Sequence, residues 1–196
     1  VVVRPWNEIL EEADKFVKNY LTGEDGQMYK EATAKNYEQI LSGKADWDKK
    51  SQAEKDAINA ALMANGGKSY EELLKLSGEI KENSEGFIKK YLTGQDGQIY
   101  KEATRQNYQQ ILSGKEAWDK MSQVEKDAIN AVLVANGGKT YEELLKTAQE
   151  IEKQIAAENA KKIAKTGDTA MAGLYLLLAA ASLAGIAMTA KKKRYI

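Results

Sequence analysis

The chain has no cysteine, no histidine and a single proline among 196 residues. Without cysteine there are no disulfides, no thiol catalysis and no thiolate metal site. That absence suits an oxidising, exposed setting, where free thiols are a liability. Without histidine there is no His-based catalytic triad, and the commonest zinc ligand is missing. Charge of one sign is not in excess either: 29 basic residues face 29 acidic ones. The balance is uneven along the chain, because four of the cations are the consecutive Lys191-Lys192-Lys193-Arg194. Set aside, they leave 25 basic against 29 acidic residues. An acidic body argues against nucleic acid as a partner and against adhesion to an anionic lipid surface.

One long uncharged run is present, from Thr169 to Ala190. As a helix its 22 residues span about 33 Å, enough to cross a hydrocarbon core of about 30 Å. The basic cluster that follows sets the orientation, because Lys and Arg stay on the cytoplasmic side. Everything before Lys165 is therefore expected outside the cell.

Just upstream stand Ile163-Ala164-Lys165-Thr166-Gly167-Asp168. Thr-Gly, a polar spacer, a hydrophobic span and a short positive tail resemble the C-terminal sorting signal of Gram-positive surface proteins, whose pattern is Leu-Pro-X-Thr-Gly. The resemblance covers Ile163 to Ile196, under a fifth of the chain. It implies sortase and peptidoglycan as partners, with cleavage between Thr166 and Gly167 and transfer of the Thr166 carboxyl to the wall precursor. Ile163 for Leu is a mild departure. Ala164 for Pro is a larger one, because Pro fixes φ and favours an extended segment that an enzyme groove can grip, whereas Ala164 can continue a preceding helix. The alternative is a permanent single-pass anchor that is never cut.

Residues 16–75 align without a gap on residues 87–146, with 46 of 60 positions identical. Tyr20-Leu21-Thr22-Gly23 recurs as Tyr91-Leu92-Thr93-Gly94, and Trp47-Asp48-Lys49 as Trp118-Asp119-Lys120. Such similarity records internal duplication and marks no site by itself. Val17/Ile88, Met28/Ile99, Ala53/Val124 and Met63/Val134 exchange one apolar residue for another and read as packed positions. Asn19/Lys90, Ala34/Arg105, Lys35/Gln106 and Asp46/Ala117 change charge and read as solvated.

Within each copy the apolar spacing is helical. Ile9, Leu10, Ala13, Phe16, Val17, Tyr20 and Leu21 form one stripe, ended by Gly23; Tyr37, Ile40 and Leu41 form a shorter one, closed by Gly43. Ser51-Gln52-Ala53-Glu54 is a capping box opening a helix with Ala57, Ile58, Ala61 and Leu62 inward, which Asn65-Gly66-Gly67 ends. Ser69-Tyr70-Glu71-Glu72 and Thr140-Tyr141-Glu142-Glu143 are further boxes. The stripe from Tyr70 through Leu73, Leu74, Ser77, Ile80, Ser84, Phe87, Ile88 and Tyr91 has no stop, so the last helix of copy one runs into the first of copy two. Gly78 and Gly86 weaken that connection and are candidate bends. After Ile151 and Ile155 the chain turns Ala- and Lys-rich, as a stalk.

The expected architecture is all-α: two tandem helical-bundle repeats of about 71 residues sharing a helix, a helical stalk and one transmembrane helix. The boundaries are 1–6 for the end of an upstream domain or linker, 7–77 and 78–150 for the repeats, 151–168 for stalk and sorting motif, 169–190 for the span and 191–196 for the basic tail. Val1-Val2-Val3 looks like a strand end or extended linker, and without an initiator Met or export signal the chain is expected to be the C-terminal piece of a longer precursor.

Paired carboxylates are the catalytic chemistry that this composition leaves open. Asp25/Asp96, Glu31/Glu102, Asp48/Asp119, Glu54/Glu125 and Asp56/Asp127 occur in both copies, but Asp25-Gly26 is a turn dipeptide, Glu54 a cap and Asp56 on a solvated face. No catalytic residue is assigned, and this part of the protein is not expected to be an enzyme. Gly23-Glu24-Asp25-Gly26-Gln27 lacks the carboxylates of a calcium loop, its copy Gly94-Gln95-Asp96-Gly97-Gln98 keeping just Asp96. Nothing suggests a metal or another cofactor. Trp47 and Trp118 read as anchors covering one end of each bundle; Tyr29, Tyr37 and Tyr70, with Tyr100, Tyr108 and Tyr141, stay open between core edge and surface. Three functions remain. The repeats are a spacer holding an upstream domain clear of the wall, or adhesin modules for a host protein or glycan, where duplication adds avidity. Alternatively, they are the accessory region of an exported glycan-degrading enzyme whose catalytic domain lies upstream.

Overall fold

Helix-capping chemistry and two buried aromatic clusters organise the molecule. A computed structural model describes residues 5–165. Among these the fold is all-α, with α1 (Trp6–Tyr20), α2 (Tyr37–Ser42), α3 (Lys44–Lys49), α4 (Gln52–Ala64), α5 (Tyr70–Tyr91), α6 (Tyr108–Ser113), α7 (Lys115–Lys120), α8 (Gln123–Ala135) and α9 (Tyr141–Lys165). The one extended pairing among them is a pair of isolated antiparallel bridges, Thr22 with Met28 and Thr93 with Ile99.

The capping boxes start the longer helices. Ser51 accepts from the Glu54 amide at 3.4 Å while the Glu54 carboxylate takes the Ser51 amide at 2.8 Å. Ser69 with Glu72, Ser122 with Glu125 and Thr140 with Glu143 repeat the arrangement. Each box satisfies two amides that the first helical turn leaves without partners. Gly66 and Gly137 close α4 and α8 with φ of +76° and +74°, a conformation that costs glycine nothing.

Helix α1 packs on α4 and α2 on α5; α5 packs in turn on α8, and α6 on α9. A first core gathers Phe16, Trp47, Ile58, Leu62, Tyr70 and Leu73. A second gathers the residues 71 positions later, Phe87, Trp118, Ile129, Leu133, Tyr141 and Leu144. The continuous α5 serves both: Tyr70, Leu73 and Ile80 enter the first, Phe87 and Ile88 the second. The first core also takes in Ala128 of α8, with Val124 packed against it. Buried Ser77 of α5 has a hydroxyl that finds no partner among the described residues, whereas its counterpart Ala148 is buried without that penalty.

Several expectations need correction. Leu10 is 43% exposed, and Met63 and Val134 are 62% and 56% exposed, so their apolar character does not reflect packing in the core. Ala34 and Ala117 are half-buried against the two cores rather than solvated. Between the second and third stripes the chain forms a further short helix, α3, that carries Trp47. No helix among the described residues is long and apolar enough to cross a membrane; the Thr169–Ala190 run, the basic tail and Val1–Val3 lie outside the described residues.

Gly78 and Gly86 lie within α5, and a Cβ at either would meet nothing within 4 Å. Replacing both with Ala is expected to stabilise the fold by about 1 kcal/mol per site, because each substitution removes a helix-interior penalty without a clash. Urea denaturation checks this. A lowered midpoint in the double variant would mean that the helix needs these glycines for reasons other than space.

Candidate functional site

Each aromatic cluster is a triad built on helices. Phe16 of α1, Trp47 of α3 and Tyr70 of α5 have ring centroids 4.7–5.7 Å apart, and the Phe16–Tyr70 pair is edge-on at 87°. Phe87, Trp118 and Tyr141 repeat the distances at 4.6–5.5 Å. The two tryptophans are 5% exposed, so their rings are core anchors, with no face free for a ligand. The Tyr70 hydroxyl donates to the Ile40 carbonyl at 2.7 Å and that of Tyr141 to Ile111 at 2.8 Å. Burial pushes both phenols up, with further contributions from Tyr20 and Asp48 at Tyr70 and from Asp119 and Tyr91 at Tyr141.

The remaining tyrosines sort by position. Tyr37 is buried at the head of α2, and burial, aided by Glu38, raises its phenol to about 12. Its copy Tyr108 is half-buried. Tyr29 and Tyr100 are half-buried, donating at 2.7 Å to Gln39 and Gln110. Gln39 also donates to the Asn19 and Thr22 carbonyls at 3.1 Å, locking the loop after α1 onto α2; Gln110 does the same after α5. Sequence reasoning missed these glutamines, since a side chain bridging carbonyls 17 and 20 residues away has no local signature.

The loop after α1 and the turn after α4 border a cleft of about 540 Å³, lined by Asp25, Met28, Tyr29, Asn36 and Lys68 among others. Several of its polar groups are already engaged. Asp25 accepts the Gln27 amide at 3.0 Å, as Asp96 does that of Gln98. Asn36 bonds the Thr33 amide and the Glu31 carbonyl, and Lys68 lies 3.8 Å from Glu31.

Most of the other candidate carboxylates are held by local partners. Asp48 pairs with Lys44 at 2.6 Å, and Asp119 with Lys115. Glu54 and Glu125 are the caps already described, and Asp56 and Asp127 accept from Gln52 and Gln123 one helical turn away. Glu31 and Glu125 border one cleft of about 400 Å³ together with Glu79, but Glu31 lies 3.8 Å from Lys68 and the Glu125 carboxylate is taken up by the Ser122 cap. Among the described residues, no group of three acidic side chains is placed to hold a metal ion.

Of the sorting motif, Ile163, Ala164 and Lys165 fall in the last turn of α9, the helix continuing through the position where the family pattern has proline. Thr166 and Gly167 lie outside the described residues. Earlier along α9, Glu158 forms a bidentate ion pair with Arg105, so the start of the stalk is tied to the loop before α6. The pair holds the Glu158 carboxyl below its ordinary range. Both groups are about half exposed, so the pair positions α9 more than it stabilises it. Compared with known proteins, the chain matches no family model, no curated protein and no solved structure.

Proposed function

We propose that the chain is part of a bacterial cell-surface protein in which two tandem helical-bundle repeats of about 71 residues, sharing α5, act as a spacer or presentation module anchored at its C-terminus. One observation carries the reading: the uncharged run Thr169–Ala190, long enough to span a bilayer, is followed at once by Lys191–Arg194. The spacer role draws support from α5, which gives side chains to both cores and so leaves no loose linker between the repeats. It also draws support from the side chains that a small-molecule enzyme would need, which are committed to caps, turns and surface pairs.

The anchor has two forms. In the sorted form the chain ends at Thr166, joined to peptidoglycan; in the other the span stays in the membrane. Because α9 is helical through Lys165, a sortase groove that grips extended peptide has to unwind its last turn. Mass spectrometry of protein released from native cells by muramidase decides between them. A C-terminal peptide ending at Thr166 and carrying a wall fragment is expected; recovery of the tail through Ile196 in the membrane fraction establishes the permanent anchor. Absence of the protein from both the wall-released and the membrane fractions would refute surface anchoring.

A further inference from the structure

The two copies differ most in charge at one place on their surfaces. In the first, Glu12, Lys15, Asp46 and Lys50 form a polar cover beside the Phe16–Trp47 pair. Lys15 lies 3.0 Å from Glu12, and Lys50 lies 3.5 Å from Glu12 and 6.0 Å from the centre of the Phe16 ring. Asp46 accepts the Tyr20 hydroxyl at 2.6 Å. In the second copy these positions are Asn83, Gly86, Ala117 and Met121. Four charged residues have become uncharged, and all four line one groove of about 320 Å³. Its inner wall is Tyr91, Ala117 and Met121, packed on the second core as its half-buried edge with the buried Phe87 behind them; Glu125 also lines it, its carboxylate taken up by Asn83 and Ser122.

The rim changed as well. Lys90 replaces Asn19 at the groove edge, its ammonium 5.0 Å from the centre of the Tyr91 ring and without an ion pair among the described residues. Lys120 stands on the other side, held by an exposed pair with Glu116 that a ligand carboxylate can replace at little cost. Tyr91 has lost the acceptor that Asp46 gives Tyr20, since Ala117 stands there.

We propose that this groove of the second copy docks an acidic peptide segment, seating one apolar side chain on Tyr91, Ala117 and Met121 while Lys90 and Lys120 meet flanking carboxylates. An apolar floor inside a charged rim is the usual layout of a small recognition site, and the volume suits a single anchoring side chain. Opposite charges at the rim supply orientation and specificity. The first copy cannot bind in this way, because Lys50 lies across Phe16 and Asp46 repels acid. Duplication has thus left one copy as scaffold and the other as scaffold plus receptor. The proposal does not depend on how the chain is anchored.

The test uses the full chain in mild detergent, labelled with 13C at the methionine methyls. Met121 then reports the groove and the exposed Met63 serves as control. The probe is acetyl-Glu-Phe-Glu-amide. A saturable shift of the Met121 methyl is expected, with binding at least about tenfold weaker for acetyl-Lys-Phe-Lys-amide and acetyl-Glu-Ser-Glu-amide. The triple variant Asn83→Glu, Gly86→Lys and Ala117→Asp restores side chains that the first copy already accommodates and is expected to abolish the shift. Circular dichroism checks its fold. If the triple variant loses helicity, Gly86→Lys alone blocks the groove, at a site where a Cβ meets nothing within 4 Å. The absence of a saturable Met121 shift, equal shifts from all three peptides, or a shift that survives the blocking substitutions overturns the proposal.

Discussion

Trp47→Ala is expected to destabilise the fold by about 3–5 kcal/mol, the cost of truncating a buried aromatic and leaving a cavity. The ring is 5% exposed and touches both Phe16 and Tyr70, so its removal takes away the keystone of the triad as well as its own burial. Collapse into the space is limited because all three rings stand on separate helices, and Tyr70 is held by its bond to the Ile40 carbonyl. A loss of this size approaches the whole stability of a unit of about 70 residues. Urea denaturation followed by circular dichroism measures it, and Trp118→Ala should behave alike. An unchanged denaturation midpoint would show that the ring is dispensable for folding and reopen a recognition role for it.

Gly43→Ala is expected to cost about 1–3 kcal/mol, the range for forcing extra atoms into a packed interior. The backbone itself does not object: Gly43 has φ −75° and ψ −11°, helical values where alanine would ordinarily be favoured by several tenths of a kcal/mol. Space decides the sign. A Cβ there would lie 2.6 Å from the Tyr70 hydroxyl oxygen and 2.8 Å from Cγ of Tyr20, and relief requires moving a tyrosine that is fully buried. Gly43 is thus the close-approach point that lets α2 turn straight into α3 beneath Tyr70. At Gly114 the same Cβ would stand 2.8 Å from the Tyr141 hydroxyl, so Gly114→Ala should also destabilise. A thermal midpoint at or above that of the unmodified chain would mean that Tyr20 and Tyr70 yield more readily than their packing implies.

Much of the fold was legible because its signals are local. The capping boxes at Ser51, Ser69 and Thr140 need four residues each, and the stripe from Tyr70 to Tyr91 needs an unbroken helical period; the structure has these caps and the continuous α5. The six-residue α3 is too short to show periodicity, with Ala45 and Trp47 as its apolar residues. An apolar-for-apolar exchange also proved a poor gauge of burial. It fits Val17/Ile88, both 7% exposed, and fails at Met63/Val134 near the ends of α4 and α8. Nor could sequence tell Tyr70 from Tyr29, because the difference lies in a carbonyl 30 residues away and in the helices around it. The second-copy groove was hidden for the same reason. Positions 83, 86, 117 and 121 are individually unremarkable substitutions, and they become one surface when α5 and α7 are set side by side.

Membership of Ala128 in the first core carries a consequence for birth rather than for the finished molecule. A polypeptide emerges amino end first, and domains ordinarily begin to fold as they appear. Here α1 to α5 can emerge in full while the face that receives Val124 and Ala128 is still bare, and it stays bare until α8 follows. The nascent chain therefore passes through an interval in which its first half is assembled but unsealed, with Leu76 and Ile80 waiting for partners more than forty residues behind.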